Sequence, residues 1–104
     1  MLLLLLLAAL AWTPVGCWEI AHTDGTPIHV RVLADGTCTS DWDQGEQGKW
    51  RLEGGKLWLE WSDGWTDVIE EHEGGFRKSA WGPGVPREGP PTNRTRARKT
   101  ADRP

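Results

Sequence analysis

The chain has 104 residues, a formal net charge of −3 and eight tryptophans, which is enough for one domain with an aromatic core. The charge is divided: residues 18–86 carry six bases against thirteen acids, whereas residues 87–104 carry six bases against two acids. An acidic domain excludes a nucleic-acid platform, because such platforms gain affinity from bases that neutralise phosphates.

Residues 1–16 read as an export signal. "MLLLLLLAALAW" is an apolar run of about ten residues, short of the roughly 20 that span a bilayer, and it fits the h-region of a secretory signal. Two cleavage sites compete. Ala9-Leu10-Ala11 has the small-x-small form of an ordinary signal-peptidase site. Pro14-Val15-Gly16-Cys17 looks like a bacterial lipobox, with proline where leucine is usual, and implies lipidation of Cys17. Both routes lead to export, into the cell envelope as a lipoprotein or beyond it. A lipid at Cys17 is the one membrane attachment expected.

The domain expected over residues 17–82 is a chain of hairpins. Three loops share a DG step: "TDGT" at 23–26, "ADGT" at 34–37 and "SDGW" at 62–65. Aspartate tolerates the left-handed region and glycine adopts it freely, so DG between apolar runs signals a hairpin. "EGGK" at 53–56 and "HEGG" at 72–75 add two more turns. Strands are expected near 17–22, 26–33, 37–42, 48–53, 56–61, 65–71 and 76–81. About seven short strands joined by sequential hairpins predict an all-β, antiparallel up-and-down meander, forming a small barrel or sandwich. Residues 83–104 are rich in proline, glycine and arginine and are expected to stay disordered, because they offer little apolar area against the entropy of ordering. "NRT" at Asn93 matches a glycosylation acceptor. It is set aside because the lipobox points to a bacterium.

Register follows from the turns. With Gly54-Gly55 in a two-residue turn, Leu52 faces Leu57, Trp50 faces Leu59 and Gly48 faces Trp61. On the other face Glu53 meets Lys56, Arg51 meets Trp58 and Lys49 meets Glu60. A slip of one residue would destroy every pair. A three-residue loop at "SDG" then sets Trp61 beside Trp65, Leu57 opposite Ile69 and Trp58 opposite Val68. It also sends Asp67 inward, opposite Leu59. By alternation Trp18, Trp50 and Trp61 belong to the core, Trp58 lies on the second face and Trp65 sits at the rim. With three-residue loops at 23–25 and 34–36, Cys17 faces Arg31 and Cys38 faces Val32. The two cysteines then point to opposite faces, which opposes a disulfide.

"GCW" at 16–18 has the G-x-W form that opens the first strand of lipocalin-like and avidin-like barrels. The run from there through "DGT", Gly48–Trp50, "WSDGW" and "GGFRKSAWGPG" also resembles small exported bacterial domains with a tryptophan-rich hairpin. The resemblance covers about residues 16–92. It implies a lipocalin-like fold in which the G-x-W tryptophan closes the barrel bottom, and it implies no activity. Seven strands would fall one short of the lipocalin eight.

The candidate ligand-binding residues are Trp58, Asp63, Trp65, Asp67, Arg77 and Trp81. Tryptophan faces stack on sugars or attract cations, and neighbouring acids and arginine fix polar groups. Asp67 stands out because an unpaired inward carboxylate is costly, and Arg77 is its expected partner. Each has a competing structural reading as core, rim or turn residue. Glu70-Glu71 are expected to pair across the turn with Arg77-Lys78. No catalytic residue, cofactor or metal site is assigned: His22, His29 and His72 lack ligand spacing, and no nucleophile elbow is present. The expected function is non-enzymatic binding of a small molecule or glycan in the cell envelope. The alternative is a structural or inhibitory protein acting on an envelope partner, and the third reading is a small hydrolase.

Overall fold

A computed structural model describes residues 12–104. Most of the expected export segment, residues 1–11, lies outside the described residues. Eight antiparallel strands follow one another around a closed barrel: β1 (Gly16–Ala21), β2 (Pro27–Val32), β3 (Thr37–Ser40), β4 (Glu46–Glu53), β5 (Lys56–Trp61), β6 (Thr66–His72), β7 (Gly75–Trp81) and β8 (Asn93–Ala101). Each strand pairs with the next, and β8 returns to β1.

The expected registers hold. Across β4 and β5, Leu52 faces Leu57, Trp50 faces Leu59 and Gly48 faces Trp61. Gly54 and Gly55 both take positive φ, at 63° and 75°, as a two-residue hairpin turn with native twist demands. Across β5 and β6, Leu57 faces Ile69, Trp58 faces Val68 and Leu59 faces Asp67. The three DG loops repeat one device. In each, the aspartate Oδ1 accepts the backbone N–H two residues on: Asp24 from Thr26 (2.9 Å), Asp35 from Thr37 (3.0 Å) and Asp63 from Trp65 (3.1 Å). These bonds are the local reason that aspartate begins each turn.

The expected all-β meander of about seven strands is present and closes with an eighth. One expectation is corrected: residues 93–101 of the expected disordered tail form that eighth strand. β8 carries arginines outward at 94, 96 and 98, and Ala97 inward and buried. Its alternation is charged against small, so it gives no apolar signal. What holds it is backbone pairing to both β7 and β1, which removes two open sheet edges. Asn93 accordingly belongs to a strand and not to a surface loop.

Inward residues fill the barrel. Trp18, Ile20, Val30, Val32, Cys38, Leu57, Leu59, Trp61, Ile69 and Ala97 form one buried cluster. Trp50 is half-buried against it and donates its indole N–H to Leu33 O at 2.7 Å. Room for the Trp61 ring comes from Gly48, where a Cβ would lie 2.9 Å from the ring and 2.5 Å from Glu60 O. Closure depends on Gly16, whose φ is 142° and whose Cβ would stand 2.2 Å from Ala101 O on β8. Cys17 points outward opposite Arg31 while Cys38 is buried opposite Val32, and both thiols are free. Burial pushes the Cys38 thiol up to about 12, so it serves as a small core residue and not as a nucleophile.

The two ends of the barrel differ. At the end holding Gly16 and the 54–55 turn, Trp12, Trp18 and Phe76 stack edge to face, with centroids 5.0–5.7 Å apart. Trp18 donates to Pro14 O at 2.9 Å, and Lys99 Nζ donates to Thr13 O at 2.6 Å. That end is plugged. The other end is open, bounded by the loops after β1, β3, β5 and β7.

Candidate functional site

The open end contains a cavity of about 170 Å³. Its floor is apolar, from Ile20, Ile28, Val30 and Ala80, and its walls carry Trp42, Trp61 and Trp65. Glu46, Asp63 and Asp67 enter it with Lys78, Asn93, Ser40 and His22. Strand alternation explains the mixture. The inward stripe that is apolar at mid-barrel continues to the mouth as Glu46 on β4, Asp67 on β6, Lys78 on β7 and Asn93 on β8.

Each polar group has a defined neighbour. Asp67 Oδ2 accepts the Trp61 indole N–H at 2.9 Å. Burial raises the Asp67 carboxyl above its ordinary range, and the charge of Lys78 and the Trp61 bond oppose that rise. Lys78 is 5 % exposed and donates to Asn93 Oδ1 at 2.8 Å. Burial lowers its pKa, while Asp67 works to hold its charge. Glu46 Oε1 accepts from the Ser40 hydroxyl at 2.8 Å. Burial, followed by the neighbouring Asp63 carboxyl, pushes Glu46 up to about 7. On the rim, His22 stacks on Trp42 with centroids 4.5 Å apart.

The sequence-derived candidates divide between two places. Asp63, Trp65 and Asp67 meet in the mouth. Trp58, Arg77 and Trp81 lie on the outside of the wall. There Trp58 and Trp81 stack at 6.4 Å on either side of Val68, an outward valine only 3 % exposed. The β7–β8 connection covers this outer patch: Trp81 donates to Gly89 O at 3.0 Å, and Arg87 reaches Glu60 on β5 at 3.3 Å. The two rings therefore belong to a small second core and not to an open aromatic face. Arg77 pairs with Glu70 at 3.1 Å, as expected across that turn, so it cannot partner Asp67. The Trp61 indole fills that role, and the Lys78 charge acts on Asp67 from beyond salt-bridge distance.

Sequence reasoning missed His22, Trp42, Glu46, Lys78 and Asn93. Lys78 was accessible: pairing Glu70 with Arg77 sets Ile69 opposite Lys78 on the inward stripe. Asn93 was not, because its strand was read as tail. Among the described residues no group of three or more His, Cys, Asp and Glu is arranged to hold a metal ion. Comparison of the chain with protein-family models, with curated proteins and with solved structures finds no match.

Proposed function

We propose that the protein binds a small molecule in the mouth of its barrel and does so without catalysing a reaction. The carrying observation is the asymmetry of the two ends: one is sealed by three aromatic rings, and the other holds an apolar-floored cavity into which a few polar groups converge. That combination is the usual form of a ligand site. The eight-stranded up-and-down wall, with Trp18 at the sealed end, supports the lipocalin-like outline that "GCW" suggested. At about 170 Å³ the cavity is small. A cavity of about 150 Å³ holds benzene, so the ligand is a compact molecule, or one compact group of a larger molecule such as a glycan whose remainder projects into solvent. Export to the cell envelope is part of the same proposal and rests on residues 1–16.

The test is to fill the cavity. Ala80, 2 % exposed on β7, faces into it. Fragments of benzene size are screened by ligand-observed NMR against the natural chain and against Ala80→Leu. Binding to the first that is lost in the second, with a cooperative unfolding transition retained, supports the mouth as the site. Binding that survives the substitution places the ligand elsewhere and ends the proposal.

A further inference from the structure

Resting on the mouth as the binding site, the geometry points to an organic cation as the ligand, one whose ammonium sits among the Glu46 and Asp63 carboxyls and the tryptophans that line the same cavity.

The first support is a contrast in how the molecule treats its acids. On the outer wall, Glu19 pairs with Arg98, Glu60 with Arg51 and Arg87, and Glu70 with Arg77 and Lys56. In the mouth, among the described residues, neither Glu46, Asp63 nor Asp67 has a lysine, arginine or histidine within salt-bridge distance. Among the described residues Lys78 is the one base buried there, and its charge is offset by Asp67 on the neighbouring strand β6. Glu46 and Asp63 remain without a counter-ion.

The second support is the enclosure. Trp42, Trp61 and Trp65 line the same cavity. Indole faces attract cations, most strongly where water is excluded. An apolar floor beneath paired carboxyls and aromatic walls suits an amine with a small hydrocarbon body. A bare metal ion would leave that floor unused, and the carboxyls do not form a metal-ligand group.

The resting state follows from the same layout. Burial disfavours the ionised form of Glu46, and a second carboxyl on the same cavity, Asp63, disfavours it further. Desolvation and the Asp63 carboxyl together raise Glu46 to about 7. Ser40 on β3, Asp67 on β6, Lys78 on β7 and His22 before β2 share the cavity with it. The exchange balances in charge: the protonated amine binds, Glu46 releases one proton to solvent, and the carboxylate becomes the counter-ion. Affinity therefore falls about tenfold for each pH unit below the Glu46 pKa and levels off above it.

Three probes of one shape decide the matter: benzylamine, benzyl alcohol and benzoate, titrated into the full chain at pH 6 and pH 8 by calorimetry in two buffers of different ionisation heat. Benzylamine is expected to bind tightest at pH 8, to lose about tenfold at pH 6, and to release about one proton per molecule at pH 6. In Glu46→Gln, which keeps an acceptor for Ser40, that pH dependence should vanish. Benzyl alcohol or benzoate binding as tightly as benzylamine overturns the cation while leaving the mouth as the site. Benzylamine binding with no proton released overturns the exchange, and this readout needs no variant. If none of the three binds the natural chain, the cation and the mouth reading fall together.

Discussion

At the scale of single residues, inward polar groups carry the interest and glycines set the limits. Asp67 could be placed inward from the sequence because its register is fixed by two turns, and it does face the barrel interior. Its partner could not be read the same way, since the Trp61 indole lies six residues back along the same hairpin. Glu46 was missed because β4 begins two residues before the apolar alternation does. These acids also shape stability. Glu46 is raised from 4.5 to about 7, so between those values the native state keeps a proton that the unfolded chain has lost. Its contribution is full below 4.5 and disappears as pH rises through 7. Asp67 is raised and acts in the same direction. Asp24 is lowered to about 2 by the Thr26 backbone N–H, and Asp35 is lowered by Thr37. They contribute in the opposite sense: that stability is present above their ordinary 3.8 and is lost as pH falls. A melting series from pH 3 to 8 should therefore peak at about pH 5, and Glu46→Gln should flatten the descent above the peak. At Gly48 the constraint is volume. Gly48→Ala forces a methyl against the Glu60 carbonyl and the Trp61 ring, and should cost about 1–3 kcal/mol in denaturant unfolding.

At the scale of elements, hairpins were legible and the closing strand was not. The β4–β5 pairing follows from one glycine turn plus matched apolar and charged partners, all of them local in sequence. β8 owes its place to β1, more than seventy residues away, and its inward face offers asparagine, threonine and alanine where a core strand usually has branched apolar residues. The regular arginine spacing at 94, 96 and 98 was the remaining trace of a strand. Deleting 93–104 would expose the edges of both β1 and β7. The expected result is loss of cooperative unfolding, or association seen as a shift in size-exclusion elution. The β7–β8 connection makes a separate prediction about tryptophan roles. Trp58→Ala should lower stability by roughly 1–3 kcal/mol, below the ~3–5 of a fully buried ring, with ligand binding unchanged. Trp65→Phe should alter binding at the mouth.

At the scale of the whole molecule, fold class and strand order were readable because an up-and-down meander is a string of local turns. Closure, and with it the distinction between the two ends, depended on the strand that the composition disguised. The charge division between 18–86 and 87–104 has a different meaning in three dimensions. The basic segment is no appendage: Arg98 pairs with Glu19 at 2.7 Å across the closing seam, so opposite charges in distant parts of the sequence meet where the wall is completed.

The aromatic plug bears on how an exported form would be trimmed. Trp12, Thr13 and Pro14 precede the first strand, yet they supply a ring against Trp18 and Phe76, the acceptor for the Trp18 indole and the acceptors for Lys99. A chain cut after Ala11 keeps all of them and is a cup. A chain cut before Cys17 loses all of them and keeps only Trp18 and Phe76 at that end, closer to a sleeve. The two cleavage sites thus specify two different vessels. Of chains made to begin at each position, the one starting at Cys17 should be less stable by about 1.5–3 kcal/mol, the scale of one large apolar side chain, and the intact mass of the protein recovered from cells would show whether it is cut at either position.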